Sequence, residues 1–420
     1  MYKFAHLADC HIGAQKYPEL KELEMNAFKK CMDRCMVEKV DFIVISGDLF
    51  HSNLPNMGAV KEAVEKMKEV RDQGIPIYLN YGSHDYSPNE TSIIDLLNSA
   101  GLIQKIVEGE VKDEKLKLKF FQDPATGAKL CGISARKMGL ESSYYDALDR
   151  ESLQNEPGFK IFVFHSAITD FKPEFLAEMD SIPLSLFPRG FNYYAGGHVH
   201  LHSEHHPEGY GSLTYPGPLF GSYSKDMEIS ARGEERGFYL VNFQDEVKEI
   251  EFIPLPVCKY EYMYQDAYGK NAIQVQNDLM DRFEKIDVEK KVVLLKIRGE
   301  LSGGKTSNID SRTIKDILTR KGALYVGINR HGLTSREQVK VKITESDIPS
   351  IEKRLFTDRV GDLNISEAKL QKNNGIKLAV ELLRTLREEQ KLNEKKKDYE
   401  ERMKNVAIHT LHLEEVFYEN

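Results

Sequence analysis

The chain has 420 residues, 41% hydrophobic and 30% charged, with a formal net charge of -8. That length exceeds what one ordinary core organises, so two or three domains are expected. No apolar run approaches the ~20 residues of a membrane-spanning helix, and Met1-Tyr2-Lys3-Phe4 enters a strand pattern directly, with no signal peptide. Cys10, Cys31, Cys35, Cys131 and Cys258 are few and scattered, which argues against a disulfide scaffold and suits a reducing cytoplasm. Cys31 and Cys35 have helical spacing but no second Cys or His pair nearby, so they read as core thiols.

The charge is unevenly placed. Residues 1–257 carry 27 Lys and Arg against 39 Asp and Glu; residues 258–345 carry 17 against 12, and residues 346–420 carry 14 against 15. An acidic first part suits cation binding and a basic middle part suits a polyanion.

In chain order, Lys3 to Ala8 reads as a strand with Asp9-Cys10-His11 at its end. On an extended backbone a D-x-H pair shares one face, so both side chains can reach one ion. Glu19 to Glu38 is an amphipathic helix striped by Leu20, Leu23, Ala27, Phe28, Cys31 and Cys35. Asp41 to Ile45 is a short buried strand broken by Gly47, which puts Asp48 at its carboxyl end and His51 on the emerging loop. A helix from about Asn56 to Arg71 follows. The strand Ile75 to Leu79 then ends in Asn80-Tyr81-Gly82-Ser83-His84-Asp85. This order predicts a layered α/β domain with ligands at the carboxyl ends of its strands.

Pro88-Asn89-Glu90 is expected to start a short helix with Ile93, Ile94, Leu96 and Leu97. With Val60, Val64 and Met67 it offers either core packing or a helical dimer face. Lys115 to Ile133 turns to short strands. Lys160 to Phe164 is a strand ending in His165, and Phe191 to Ala195 another ending in Gly196-Gly197-His198-Val199-His200, where alternation again brings two imidazoles to one face. His202, His205 and His206 read as solvated loop residues. Strands Gly237–Phe243 and Val247–Ile253 close the domain, and Pro254 and Pro256 mark a boundary.

Residues 258–345 read as a small α/β unit with strands Val292–Ile297 and Ala323–Ile328 and a helix from Ser311 to Thr319. Gly299 to Thr306 matches the pattern G-x-x-x-x-G-K-T. The helix cap at Asn308 to Ser311 comes too late to cradle phosphate, so a Gly/Ser hairpin is expected instead. Pro349 to Leu363 reads as a linker. Ile376 to Leu386, polar Glu388 to Lys404, and Val406 to Phe417 read as a helix pair too poor in apolar residues to fold alone.

Asp9, His11, Asp48, His165, His198 and His200 each fall at or just past a predicted strand end. Carboxylates with imidazoles suit Mn²⁺, Fe²⁺ or Zn²⁺. A shared Asp48 would bridge two ions suited to attack on phosphorus, leaving His84 as an unligated imidazole for the leaving oxygen or the transition-state charge.

D-x-H, G-D, G-x-H-D, a lone His and G-H-x-H, in this order, resemble the calcineurin-like metallophosphoesterase superfamily. His6-Leu7-Ala8-Asp9-Cys10-His11-Ile12-Gly13 and Ser46-Gly47-Asp48-Leu49-Phe50-His51 narrow the resemblance to the archaeal SbcD-like nuclease subunit of the double-strand-break repair complex, the meiotic-recombination-eleven family. The motifs cover the first domain; the rest matches in length, order and character.

The resemblance implies a two-sheet sandwich flanked by helices over 1–257, a DNA-binding cap domain over 258–345, and a linker and helical ATPase-binding segment over 346–420. It implies a Mn²⁺-dependent 3′-to-5′ double-strand exonuclease and single-strand endonuclease, with two Mn²⁺ per chain. Asp9, His11, Asp48 and His200 would serve the first metal, and Asp48, His165 and His198 the second. His51 would contact the phosphate, and His84 is the histidine of the family's G-N-H motif. Partners implied are DNA ends, an SMC-like coiled-coil ATPase and a second copy bound through the helices near Val64 and Leu97, in the cytoplasm with the nucleoid. One departure stands out: Ser83 occupies the place of the motif's Asn, so the second metal would be held by Ser83, by water or by Asn80. Another phosphoesterase activity, or a DNA-tethering scaffold with weakened catalysis, are the alternatives.

Overall fold

In the computed structural model, two six-stranded sheets lie face to face and carry the site along one edge. The first runs, in spatial order, Val247–Pro254, Gly237–Phe243, Tyr2–Leu7, Phe42–Ser46, Ile77–Asn80 and Gln104–Lys105; the last four are parallel. The second runs Ser203–His205, Ser212–Tyr215, Tyr193–Gly197, Lys160–His165, Lys129–Ile133 and Phe121–Gln122, with its middle four parallel. The structure describes residues 1–86, 91–136, 141–336, 347–360, 372–391 and 394–411.

Parallel neighbours need crossover helices, and the sequence supplies them with clear starts. Pro18 sits in the first turn of helix Pro18–Val37, where its missing N–H is harmless. Asn56 caps helix Met57–Asp72 by accepting from the Gly58 and Ala59 amides. Strand alternation then assigns the layers. Ala5 and Leu7 pack under these helices, while Phe4 points between the sheets and meets Tyr193 edge-on at 5.1 Å. The two-sheet sandwich flanked by helices is as expected.

The described residues form two compact units, Met1–Ser335 and Arg336–Asn420. Within the first, residues 259–335 build a further parallel sheet from Lys259–Asp266, Lys291–Leu301, Tyr325–Asn329 and Leu333–Ser335. Helices Ala272–Lys285 and Ser311–Arg320 close over it, on a core that includes Leu279, Phe283, Val293 and Ile314. The strand at 259 and the helix at 272 escaped the sequence reading.

Three expectations need correction. Gly299 to Leu301 lie inside a strand whose neighbours run parallel, so the stretch is no hairpin, and the following helix is capped by Asp310. The supposed linker contains helix Ile348–Val360, begun by a first-turn Pro349, and it packs on helix Lys372–Leu386; Glu352 pairs there with Arg387. A third helix, Lys396–Thr410, spans the polar stretch and buries Met403 and Ile408, so the tail is three packed helices among the described residues. Val416 and Phe417 lie outside the described residues, as do Pro88 to Glu90; the short helix there begins at Ile93, capped by Ser92.

Candidate metal centre

Each candidate side chain enters from the carboxyl end of a parallel strand, where the two sheets meet. Asp9 and His11 follow Tyr2–Leu7, and Asp48 and His51 follow Phe42–Ser46. Ser83 and His84 follow Ile77–Asn80, His165 ends Lys160–His165, and His198 and His200 follow Tyr193–Gly197. The means differ from the expected pleat. Asp9, His11, Asp48 and His198 have φ of 51°, 44°, 50° and 88°, so left-handed backbone, not strand alternation, aims them. Such conformations cost on the order of 1–3 kcal/mol each and persist where surroundings impose them. Gly82 makes room: a Cβ there would run into the Asp48 carboxylate.

The ligand atoms converge around Asp48. Its Oδ2 lies 3.2 Å from His165 Nε2 and 3.6 Å from His11 Nε2. Asp9 Oδ1 lies 3.7 Å from His200 Nε2 and 3.8 Å from His165 Nε2. His11 and His200 face each other Nε2 to Nε2 at 3.2 Å. His198 and His200 part company, contrary to the single face expected: the His198 ring lies 5.3 Å from His165, the His200 ring 5.1 Å from His11. The His198 amide also donates to both Asp9 oxygens.

Beside this cluster, His84 Nδ1 donates to the His51 carbonyl at 2.7 Å, its amide donates to Asp48 Oδ1 at 2.8 Å, and Nε2 lies 3.1 Å from Tyr223 Oη. His51 stacks on His84 with ring centroids 4.9 Å apart. Ser83 is half-buried on the wall of the adjoining cavity. Asn80 is buried; its Nδ2 donates to the Ile133 carbonyl and its Oδ1 has no hydrogen-bond partner among the described residues.

Buried charges here set one another's protonation. Burial pushes the Asp48 carboxyl up, but His165, His11 and His84 together outweigh it and hold it well below the usual carboxylate range. Burial would lower His165; Asp48 and Asp9 overcome this and push it up to about 10. His198 is pushed down to about 3 by burial and by neighbouring His165. For Asp9, burial dominates and raises the carboxyl.

The sequence reading missed the supporting residues. Asp226 Oδ2 accepts from His200 Nδ1 at 2.9 Å and from the Tyr223 amide, an arrangement that fixes a ligating imidazole's tautomer. Arg236 Nη1 donates to the His200 carbonyl at 2.6 Å. Glu24 accepts the Gly13, Ala14 and Gln15 amides and braces the loop after His11. Tyr223 and Asp226 belong to helix Ser224–Ala231 and its cap, an element without an apolar stripe strong enough to read. His202 and His205 are not merely solvated: His202 stacks on Phe252 and bonds Glu234, and His205 stacks on Phe171.

The donor set fits a divalent ion. Asp9, Asp48 and His165, and again Asp9, His11 and His200, each present one ligand atom within 4.8 Å of the others. His165 Nε2 is buried without a hydrogen bond among the described residues, as a nitrogen reserved for a cation would be.

Fold and centre together define the class. Residues 2–202, which hold every candidate ligand, match the family described as calcineurin-like phosphoesterase. Within that class its similarity is to the DNA double-strand break repair protein Mre11 of archaea. It is 30% identical to that of Archaeoglobus fulgidus over 65% of this chain and 65% of that one. It is 29% identical to that of Methanococcus maripaludis, over 66% and 74%, and 26% identical to that of Sulfurisphaera tokodaii, over 86% and 89%. The chain thus aligns with less than two thirds of the Archaeoglobus protein's length. The resemblance carried by the motifs is borne out.

Proposed function

We propose that the chain is a two-metal DNA nuclease that processes double-strand breaks, as a 3′-to-5′ exonuclease on duplex ends and an endonuclease on single strands. The reading rests on Asp48, whose one carboxylate oxygen stands between His165 and His11, as a bridge between two ions requires. Asp9, His11, Asp48 and His200 would hold one Mn²⁺, and Asp48, His165 and His198 the other, completed by Ser83, Asn80 or water. Bound there, the ions would supply a hydroxide near neutral pH and charge stabilisation at phosphorus. His51 would orient the phosphate. His84, steered by its bond to the His51 carbonyl, would present Nε2 to the leaving oxygen.

Residues 258–345 would form the DNA-binding cap: Lys305 and Arg312 are exposed there. The tail would hold an SMC-like coiled-coil ATPase. A second copy would pair along the helices near Val64 and Leu97, but through different side chains. Leu97 is buried and Val64 packs on the core, whereas Met57 and Leu96 are exposed. No helix among the described residues is long and apolar enough to cross a membrane; a DNA substrate would place the protein in the cytoplasm with the nucleoid.

The test compares Mn²⁺-dependent degradation of end-labelled duplex DNA with hydrolysis of a bis-aryl phosphate. Cleavage of both supports the nuclease. Cleavage of the aryl ester alone indicates another phosphoesterase, and DNA binding without cleavage a tethering scaffold.

A further inference from the structure

The cavity beside the centre is larger than one phosphate needs. It encloses about 600 Å³, and its far wall comes from the second sheet, where Arg136 follows strand Lys129–Ile133. The guanidinium carbon stands 4.9 Å from the Tyr86 ring centroid and 5.3 Å from that of Tyr144, and Nη1 donates to Tyr86 Oη at 3.2 Å. Two rings and one hydrogen bond hold the guanidinium in place, which lowers the entropy cost when its remaining donors engage an anion. Among the described residues it makes no ion pair. Glu141 is tied instead to the Arg136 amide at 3.0 Å.

A second polar group, the Ser166 hydroxyl, belongs to the lining of the same cavity. Ser166 is 4% exposed; its Oγ stands near the Tyr145 phenol without completing a hydrogen bond among the described residues. A buried hydroxyl left unpaired costs ~1–3 kcal/mol unless something in the cavity accepts from it. Asp180, which is exposed, and Glu141 are the carboxylates that line the cavity, so an anion is held only where the Arg136 guanidinium outweighs them.

We propose that Arg136 and Ser166 form a subsite for the phosphate next to the scissile one, so that the cavity takes a nucleotide unit rather than a lone ester. This deepens the nuclease reading and rests on it: the scissile phosphate lies at the metal centre, and the flanking phosphate meets the guanidinium fork.

Binding is read first, by titration calorimetry of the thymidine trinucleotide, with two phosphodiesters, and the dinucleotide, with one, into the full chain without Mn²⁺. The wild type prefers the trinucleotide, and Arg136→Ala loses about 10- to 100-fold on it, the scale of a charge-assisted hydrogen bond, with a smaller loss on the dinucleotide. Arg136→Lys, which keeps charge but not the fork, falls between. With Mn²⁺, kcat/KM for the trinucleotide drops at least tenfold more than for a bis-aryl phosphate, through KM. Ser166→Ala gives a smaller loss in the same direction. Equal losses on both substrates, or trinucleotide affinity indifferent to Arg136, overturn the subsite. If the chain cleaves no DNA yet its trinucleotide affinity depends on Arg136, the subsite stands and the nuclease reading falls.

Discussion

Tyr223 Oη lies 3.1 Å from His84 Nε2, while the opposite nitrogen of that imidazole gives its proton to the His51 carbonyl at 2.7 Å. Because a carbonyl can only accept, Nδ1 gives its proton to His51, and Nε2 is the nitrogen left to meet the phenol. The His51 carbonyl therefore sets which nitrogen of His84 faces the cavity, and the tyrosine steadies the ring in that position. Tyr223→Phe should lower kcat on DNA about fivefold, the worth of ~1 kcal/mol, with Mn²⁺ affinity unchanged. His84→Ala should lose ~10²–10⁴-fold, and adding Tyr223→Phe to it should cost nothing more. Additive losses would show the phenol acting independently of His84.

Asp48→Ala removes the carboxylate that His11 and His165 share. Activity should vanish, and Mn²⁺-soaked crystals should lose both anomalous peaks seen in the wild type. Two peaks in the variant would mean that Asp48 does not bridge.

Metal uptake should depend on pH through His165, which Asp48 and Asp9 push up to about 10. An incoming ion displaces this proton, so apparent Mn²⁺ affinity should rise with pH, by up to tenfold per unit below 10 for one proton released. In chelator-treated protein the sign reverses for stability. His165 is raised above its ordinary 6.5, so its contribution is complete below 6.5 and vanishes as pH rises through about 10. Calorimetric melting across pH 6 to 10, with and without Mn²⁺, checks both; a flat affinity would place no proton on His165.

In the region 258–345, neutralising Lys305, Arg312 and Lys315 together should weaken duplex binding. The slope of log affinity against log salt should become shallower by about 0.9 for each phosphate that no longer meets a cation. Fluorescence anisotropy from low to moderate salt reads it, and an unaltered slope would put the DNA track elsewhere.

In the tail, helices Ile348–Val360 and Lys372–Leu386 leave Ile348, Leu355 and Leu386 exposed. Deletion from Gly375 should abolish binding of the ATPase partner, and amide exchange over 376–386 should slow when it is added. Full binding by the truncated chain would reject this docking site.

The sequence was most legible where chemistry and periodicity coincide. Asp9, His11, Asp48, His84, His165, His198 and His200 were legible because each ends or follows a short apolar run that reads as a buried strand. It misjudged how they are aimed, since left-handed backbone at Asp9 or His198 follows from tertiary packing and leaves no periodic mark. Asp226, Tyr223 and Arg136 stayed hidden for another reason. Their partners lie 26, 139 and 50 residues away, and nothing local identifies such pairs. The tail helix at 348 escaped because its charged face broke the stripe.

Helix Ser224–Ala231 carries two attachments on one short rod. Asp226 grips His200, and Glu228, two residues on, grips Lys296 in the sheet of the 259–335 region at 2.8 Å. About 3 Å of helical rise separates the two grips, and Tyr223 sits on the same rod's cap. A tilt of that sheet would thus turn the rod and swing an imidazole at the centre, like a rocker arm under a valve. Engineering the outer surface for tighter grip and the centre for faster turnover would then be one adjustment, made at both ends of a single eight-residue lever.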